Sequence, residues 1–193
     1  RAATTWLEER LAPEVDLHGD VVELYGLGVL ILGKSGIGKS EAALDLVSRG
    51  HRLVADDVVH VRRISPMVLR GRAAQLLEHH MEIRGLGIID VAALFGTLAT
   101  LDERQIDLVV ELIEWPDAAD RLGLVEGTYA LLEVDLPLVR VPVRPGRSVA
   151  MLVETAARNH LLRLRGRHSA LAFAEHIDRE IATRGKRRAG EPA

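Results

Sequence analysis

Hydrophobic residues along this chain fall into short runs that are separated by glycine and charged residues. Residues 21–25 and 29–32 are two such apolar runs, joined by Gly26-Leu27-Gly28, a link short enough for a β-hairpin. The second run leads into a glycine-rich loop, and residues 39–48 then carry apolar side chains at helical spacing. The pattern predicts an antiparallel strand pair beside this loop, and hence a mixed sheet with a helix packed against it.

The rest of the chain continues the alternation of strands and helices. Residues 82–95 contain a glycine-rich turn followed by an apolar stretch, and residues 148–164 form a second clear helical pattern. Further strands are predicted at 53–55, 58–61, 107–112 and 139–143, and further helices at 4–11 and 170–183. We therefore expect one α/β domain over residues 1–183, followed by a basic tail at 184–193 that is disordered.

Composition narrows the class of protein without identifying it. The chain has 193 residues, 48% of them hydrophobic and 27% charged, as is ordinary for one globular domain. A net charge of −3 gives no reason to expect nucleic acid or a membrane surface as partner. No apolar run reaches the ~18 residues that would indicate a membrane-spanning helix. Cysteine is absent, which excludes disulfides and thiolate chemistry and fits a cytoplasmic protein. The chain starts at Arg1 rather than methionine and shows no signal peptide, so we expect that it has lost an N-terminal part.

The glycine-rich loop has the pattern GxxxxGK[ST] of a phosphate-binding loop, in the required position between a strand and a helix. Its residues are Gly33, Lys34, Ser35, Gly36, Ile37, Gly38, Lys39 and Ser40. In this pattern Lys39 contacts the β- and γ-phosphates of a nucleotide and the Ser40 hydroxyl binds Mg²⁺. The chain has 25 basic residues, of which only three are lysine and the rest are arginine. A lysine at position 39 therefore indicates that this position requires a compact ammonium group. Lys34 adds charge at the mouth of the loop or is incidental, and an incidental glycine turn is the alternative for the whole segment.

Two adjacent carboxylates, Asp56 and Asp57, follow the apolar strand predicted at 53–55. Many phosphate-loop enzymes place an aspartate there to hold Mg²⁺ or a water molecule. Neighbouring residues of a strand face opposite ways, so one carboxylate can face the metal while the other acts as a base toward a substrate hydroxyl. A solvated strand end is the alternative, and the spacing does not say which aspartate is the base.

Three other segments give weaker signals. His18 precedes the first strand, where a lone histidine is more often structural than catalytic. Glu82 and Arg84 directly precede a flexible glycine-rich turn, and their carboxylate and guanidinium groups suit contact with Mg²⁺ and phosphate. Residues 142–147, PVRPGR, set two arginines in a stiff turn before a helix, which suits an anion, but an ordinary connection between a strand and a helix explains them equally well.

Together these segments resemble the catalytic domain of the HPr kinase/phosphorylase family. The resemblance lies in His18-Gly19 and in residues 25–57, 82–96, 120–123 and 141–147, in order over nearly the whole chain. The stretch EIRGLGIID within 82–96 is more characteristic than the phosphate loop alone. The resemblance implies a P-loop kinase-like α/β fold with a mixed central sheet and flanking helices. It also implies transfer of phosphate from ATP, or pyrophosphate, to a serine of the phosphocarrier protein HPr, and its removal by inorganic phosphate with release of pyrophosphate.

The resemblance also implies roles for individual residues. Asp57 matches the base for phosphorylation, which becomes the acid for dephosphorylation, and His18, Lys39 and Arg121 match the other catalytic positions. Ser40 and Glu82 match the Mg²⁺ ligands. Residues 82–90 match a segment needed in both directions. The dephosphorylation loop corresponds to Pro142, Val143, Arg144, Pro145, Gly146 and Arg147.

The family is typically hexameric, so the resemblance implies a homohexamer, although the chain itself shows no oligomer signature. Two features depart from the family pattern. The second loop residue is commonly acidic in the family but is Lys34 here, which bears on nucleotide or metal preference, and the usual N-terminal domain is absent. Two other functions stay open: a phosphate-loop kinase of a small metabolite, and a nucleotide-dependent switch without catalysis. Asp57 and Arg121 argue against the switch, because a switch needs neither a hydroxyl base nor a clamp on the transferred phosphate.

Overall fold

The computed structural model of the protein describes residues 12–115 and 125–166. The helices predicted at 4–11 and 170–183 and the tail at 184–193 lie outside these residues. The strands are β1 (Glu14–His18), β2 (Asp20–Leu24), β3 (Leu27–Gly33), β4 (Arg52–Ala55), β5 (Val58–Ser65), β6 (Val68–Ala73), β7 (His80–Ile83), β8 (Gly87–Asp90), β9 (Glu103–Gln105), β10 (Leu108–Glu114), β11 (Val125–Leu131) and β12 (Val134–Val143). The helices are α1 (Lys39–Ser48), α2 (Val91–Phe95) and α3 (Val149–Leu164), with single 3₁₀ turns at Gln75–Leu77 and Thr97–Ala99.

A six-stranded sheet forms the centre of the fold, in the order β11-β12-β10-β3-β2-β4. Strand β3 pairs antiparallel with β2 and parallel with β10, and β10 pairs parallel with β12. The predicted hairpin and mixed sheet are therefore confirmed. Strands β2 and β3 consist almost entirely of buried residues, as is usual for strands covered on both faces.

A second, four-stranded sheet has the order β1-β5-β6-β9, and β7 and β8 form a separate hairpin. The hydrophobic core draws on strands of both large sheets. It contains Val21, Leu30, Val54, Ala55, Val59, Val61, Leu69, Ala73, Ile106, Val109, Leu131, Val134, Leu136 and Leu138. These side chains are almost all aliphatic, as expected for a sequence with only 3% aromatic residues.

Helix α1 packs against β2, β3 and β4 through a stripe of small and aliphatic residues. Ala42, Ala43, Leu46 and Val47 are buried, whereas Leu44, whose apolar side chain belongs to the same predicted pattern, is half-buried. The helix begins and ends at the predicted residues, because the phosphate loop precedes it and Gly50 follows it. No helix within residues 12–115 and 125–166 is long and apolar enough to cross a membrane.

Helix α3 also appears where the pattern predicts it, with Ala150, Val153, Ala156 and Ala157 buried. The chain divides into two compact units, one up to Ala157 and one from Arg158 onward. Of the second unit the structure describes residues 158–166, which hold the last turns of α3.

Two of the points at which the chain passes from one large sheet to the other lie next to each other. At the first, Gly19 separates β1 of the four-stranded sheet from β2 of the six-stranded sheet. At the second, Asp56 and Asp57 separate β4 of the six-stranded sheet from β5 of the four-stranded sheet. The two points are adjacent because β1 pairs with β5 and β2 with β4, and the Gly19 N–H donates to the Asp57 carbonyl at 3.1 Å. We call this pair of crossings the double crossing; it determines where the candidate site lies.

Six strands of the structure, β1, β6, β7, β8, β9 and β11, are not predicted by the hydrophobic pattern. Strand β9 contains no apolar residue, and β6 is interrupted by Arg70, Gly71 and Arg72. These strands form through pairing that cannot be read from their own composition: β1 and β6 pair with β5, β9 pairs with β6, β7 with β8, and β11 with β12.

Candidate active site

The phosphate loop connects β3 to α1, as its sequence predicts. Gly36 and Gly38 have φ angles of 81° and 99°, in the left-handed region that other residues adopt at a cost. These angles let the loop curl at the N-terminus of the ten-residue helix α1, where backbone N–H groups and the helix dipole attract anions. The loop is therefore shaped to receive phosphate oxygens.

Lys39, the first residue of α1, is folded back against the loop and is only 6% exposed. Its Nζ donates to the carbonyl oxygens of Gly33 at 3.3 Å and Lys34 at 3.4 Å. The third contact of this ammonium group is His18 Nε2, also at 3.3 Å. The lysine is thus held in a fixed position at the start of the helix instead of extending into solvent.

His18 connects Lys39 to Asp57. An ammonium group has only donors, so the Nε2 atom that faces Lys39 acts as the acceptor and the proton of the ring lies on Nδ1. His18 Nδ1 then donates to Asp57 Oδ1 at 3.0 Å. The side chains of His18 and Asp57 are about half exposed, at 50% and 54%. Asp57, His18 and Lys39 thus form a continuous hydrogen-bonded line, which we call the Asp–His–Lys line.

Asp57 has an unusual backbone conformation. Its φ angle is 64°, and the Val58 N–H donates to the Asp56 carbonyl at 2.7 Å, so Asp57 is the central residue of a three-residue γ-turn. Such a conformation costs energy in a residue other than glycine. The turn directs Asp57 outward to His18, whereas its neighbour Asp56 is 3% exposed. The two carboxylates therefore have different surroundings, as the adjacent pair suggests.

Asp56 is buried at the base of the site, where it contacts both Glu82 and Ser40. Its Oδ2 accepts a hydrogen bond from the Glu82 N–H at 3.1 Å. Burial raises the pKa of Asp56, although the hydroxyl of Ser40 and the N–H of Glu82 favour its charged form. Asp56 therefore links the phosphate loop to the hairpin of β7 and β8, and it brings Ser40 and Glu82 to the same place.

The side chains of His18, Lys39, Ser40, Asp56, Asp57 and Glu82 line one cleft of about 190 Å³. Arg84 completes it from the turn between β7 and β8, and its guanidinium lies against the phosphate loop, since a Cβ atom added to Gly36 would come within 2.9 Å of Arg84 Nη1. The lining residues are His18, Ser35, Gly36, Gly38, Lys39, Ser40, Glu41, Asp56, Asp57, Glu82 and Arg84. Positively charged groups and loop amides thus meet four carboxylates around a small polar space, which suits phosphate and a divalent cation.

Other predicted residues lie near this cleft without lining it. Lys34 points to the neighbouring strand, where its Nζ lies 3.2 Å from Glu114 Oε1. In the segment 142–147, Arg144 and Arg147 lie over the ring of Trp115, at 5.4 and 4.8 Å from its centroid. These groups follow the carboxyl ends of β3, β10 and β12, which are parallel and so end at the same edge of the sheet. Arg121 lies outside the described residues.

Comparison with known proteins identifies the family. Residues 9–177 match the family described as HPr Serine kinase C-terminal domain. The chain belongs to this family. It is 55% identical over 176 residues to the HPr kinase/phosphorylase of Geobacter sulfurreducens, a match that covers 90% of this chain and 55% of that protein. It is 49% identical over 180 residues to that of Geobacillus thermodenitrificans, covering 92% of this chain and 58% of that protein. The chain thus spans little more than half the length of these curated relatives.

A solved structure supports the assignment of the fold. The Hpr(Ser) kinase/phosphatase of Coxiella burnetii matches 84% of this chain and 99% of the solved chain, with a TM-score of 0.73 and 35% sequence identity. Membership of the HPr kinase family confirms the family resemblance, and the structural match confirms the predicted α/β fold with its mixed sheet.

Two residues of this family member have structural importance that the sequence does not reveal. Asp20 is a fully buried acid that contacts the backbone of Asp57, and Trp115 forms the platform for two arginines. The signal that could have directed attention to Asp20 is an acid between His18-Gly19 and the apolar pair Val21-Val22.

Proposed function

We propose that this chain is the catalytic part of a bifunctional HPr serine kinase/phosphorylase. It would transfer a phosphoryl group from ATP, or pyrophosphate, to a serine of HPr, and remove it with inorganic phosphate to give pyrophosphate. The single observation that carries the proposal is the Asp–His–Lys line, which joins a phosphate-binding lysine to an exposed carboxylate. The relatives from Geobacter sulfurreducens and Geobacillus thermodenitrificans are HPr kinase/phosphorylases, which supports the choice of substrate.

In the forward direction Asp57 would act as the base. Its carboxylate is exposed enough to be reached by a serine on another protein, and the hydrogen bond from His18 Nδ1 fixes its orientation. The serine oxygen forms a bond to the γ-phosphorus, the bond from that phosphorus to the bridging oxygen of ADP breaks, and the serine proton passes to Asp57. Lys39 and the loop amides would stabilise the negative charge on the transferred group.

The reverse reaction would use the same groups in opposite roles. An oxygen of bound inorganic phosphate attacks the phosphorus of phosphoserine, and the bond to the serine oxygen breaks. Protonated Asp57 returns its proton to that oxygen, and pyrophosphate is the second product. The cleft can serve phosphate, pyrophosphate and ATP because all three present similar oxygen atoms to Lys39 and the loop. Arg121 belongs to this proposal on the resemblance alone.

Mg²⁺ is the metal that the family resemblance implies, and the residues of the cleft fit it. Ser40 and Glu82 both line the cleft and both contact Asp56, so a hydroxyl and a carboxylate are available there, and Mg²⁺ commonly uses one or two carboxylates together with substrate phosphates. Within the described part of the chain no cluster of three or more acidic or histidine side chains could hold a metal by itself. We therefore propose that Ser40 and Glu82 hold Mg²⁺ jointly with the nucleotide, where the ion would neutralise phosphate charge.

The family resemblance also implies a homohexamer, and the absence of cysteine fits a cytoplasmic location; we include both in the proposal. Light scattering after gel filtration tests the assembly, because six copies of the 21.2 kDa chain are clearly separated from one or two. A species of one or two chains at micromolar concentration would contradict the hexamer for this chain.

Transfer of labelled phosphate tests the proposed function directly. The chain is incubated with Mg²⁺ and ATP labelled at the γ-phosphate, with HPr in one tube and HPr carrying alanine at the acceptor serine in the other. We expect label on unaltered HPr only. Label on a small molecule would indicate a metabolite kinase, and nucleotide binding without any transfer would indicate a switch; either result would refute the proposal.

A further inference from the structure

Asp20 is a buried acid for which the proposed chemistry has no use. It is the first residue of β2, lies directly after the crossing at Gly19, and is 0% exposed. Its neighbours along β2 are the buried apolar residues Val21 and Val22. A carboxyl group in such a place is costly unless its oxygen atoms are satisfied, so its contacts indicate what it does.

One oxygen of Asp20 contacts the backbone of Asp57. Asp20 Oδ1 accepts a hydrogen bond from the Asp57 N–H at 3.1 Å, while the Asp57 carbonyl accepts one from the Gly19 N–H at 3.1 Å. Both backbone polar groups of Asp57 are thus held by two adjacent residues of the other crossing. A side chain at position 19 would displace this crossing from β3, because its Cβ atom would lie 2.8 Å from the Ile31 carbonyl oxygen.

The other oxygen of Asp20 faces Asp56. Asp20 Oδ2 and Asp56 Oδ1 are buried, and neither has a donor among the described residues, although the two carboxyl groups are close enough to interact. Burial, followed by the charge of Asp56, raises the pKa of Asp20 well above its ordinary value. Asp20 therefore uses one oxygen as an acceptor for the Asp57 backbone, while its other oxygen faces the Asp56 carboxyl group.

We propose that Asp20 is a positioning residue that holds Asp57 in its γ-turn, so that the Asp57 carboxylate contacts His18 and the incoming serine. This inference rests on the proposed function of Asp57 and extends it to a residue that touches neither nucleotide nor HPr. A backbone at φ 64° relaxes unless its surroundings hold it, and the Asp20 carboxyl and the Gly19 N–H are the two groups that do so.

Two substitutions of Asp20 separate positioning from general stability. Asp20→Asn keeps an oxygen for the Asp57 N–H and places an N–H donor toward the Asp56 carboxyl group, so it retains the acceptor that the proposal requires. Asp20→Val is similar in size and removes this acceptor. Asp20→Ser serves if the valine variant does not fold, because its hydroxyl is too short to reach the Asp57 amide. Asp107→Val is the matched control, since Asp107 Oδ2 accepts the Gly28 N–H at 2.9 Å at the opposite end of β3.

For transfer from ATP to HPr, we expect Asp20→Val or Asp20→Ser to lower kcat about 10²-fold, the size of loss that a misplaced catalytic group produces. The KM for ATP should change less than about threefold, because the phosphate loop is untouched. Asp20→Asn should retain kcat within about fivefold and Asp107→Val within about twofold, since neither disturbs the Asp57 turn. A kcat of Asp20→Val or Asp20→Ser within threefold of wild type would overturn the proposal, and so would an equal loss in Asp20→Asn.

Amide hydrogen exchange, followed by NMR, tests the same inference without catalysis. Exchange at the Asp57 amide should be about tenfold faster in Asp20→Val or Asp20→Ser, and unchanged in Asp20→Asn and Asp107→Val. Unchanged exchange at Asp57 in the variants that lack the acceptor would refute the positioning role. If wild-type protein failed to phosphorylate HPr, the proposed function would fail, while the exchange result would still decide whether Asp20 holds the turn.

Discussion

Replacing Lys39 and Lys34 separately tests the phosphate loop, because the structure gives the two lysines opposite surroundings. Lys39 is buried against two loop carbonyls and His18, whereas the Lys34 side chain is 76% exposed and pairs with Glu114. Charge-assisted hydrogen bonds contribute about 1.5–3 kcal/mol each, so losing contacts to the β- and γ-phosphates costs about 3–6 kcal/mol. Lys39→Met should therefore lower kcat/KM roughly 10²–10⁴-fold.

Lys34→Met is the matched control. An exposed ion pair contributes about 0.2–1 kcal/mol, so this variant should lose less than about fivefold in kcat/KM. The assay is steady-state transfer from ATP to HPr with Mg²⁺, with thermal unfolding of each variant measured in parallel. Lys39→Met should unfold within a few degrees of wild type, since its bonds to the loop carbonyls are long. Near-normal turnover by Lys39→Met, or an equally large loss in Lys34→Met, would show that the loop has been misinterpreted.

Two further predictions concern regions beyond the loop. Glu154 on α3 accepts hydrogen bonds from His51 Nε2 at 2.8 Å and Tyr25 at 3.1 Å, and these outweigh burial and lower its pKa below the ordinary 4.5. Glu154→Gln should thus lower the free energy of unfolding by about 1–2 kcal/mol above about pH 5. This difference should vanish in urea titrations as the pH falls through the lowered folded pKa, and a difference that persisted would contradict the ion-pair assignment. Arg144→Ala and Arg147→Ala should slow phosphorolysis about 10–100-fold, and phosphorylation less, if residues 142–147 mainly serve inorganic phosphate; equal effects in both directions would contradict that role.

The parts of the fold that the sequence predicts are those with a strong local signal. The loop pattern identifies Gly33–Ser40, and helical spacing gives both α1 and α3, because the information lies within a few residues. Strands β6 and β9 lack such a signal, since charged residues alternate with or replace apolar ones and the strands form through pairing. Whether these two segments form strands depends on the strands that pair with them.

The candidate site is harder to predict from the sequence than the fold, because its residues come together from distant parts of the chain. His18 is weak evidence by itself, because its partners Lys39 and Asp57 lie far away in the chain and meet it only through the double crossing. The spacing also leaves the roles of Asp56 and Asp57 open, since the γ-turn, not strand alternation, buries one and exposes the other. Asp20 escapes the sequence analysis altogether, because its contact with Asp57 spans 37 positions.

The central claim is that Asp57 moves a proton in both directions of the reaction, and Asp57→Asn tests it most directly. The variant and wild type are assayed in pairs, with HPr and ATP in one tube and phosphoserine-HPr and inorganic phosphate in the other, while pyrophosphate release is followed. We predict that both reactions fall by roughly 10²–10⁴-fold, the range for general acid–base catalysis. ATP should still bind within about tenfold of wild type, because Lys39 and the loop amides remain. Wild-type rate in either direction would contradict the shared acid–base role of Asp57.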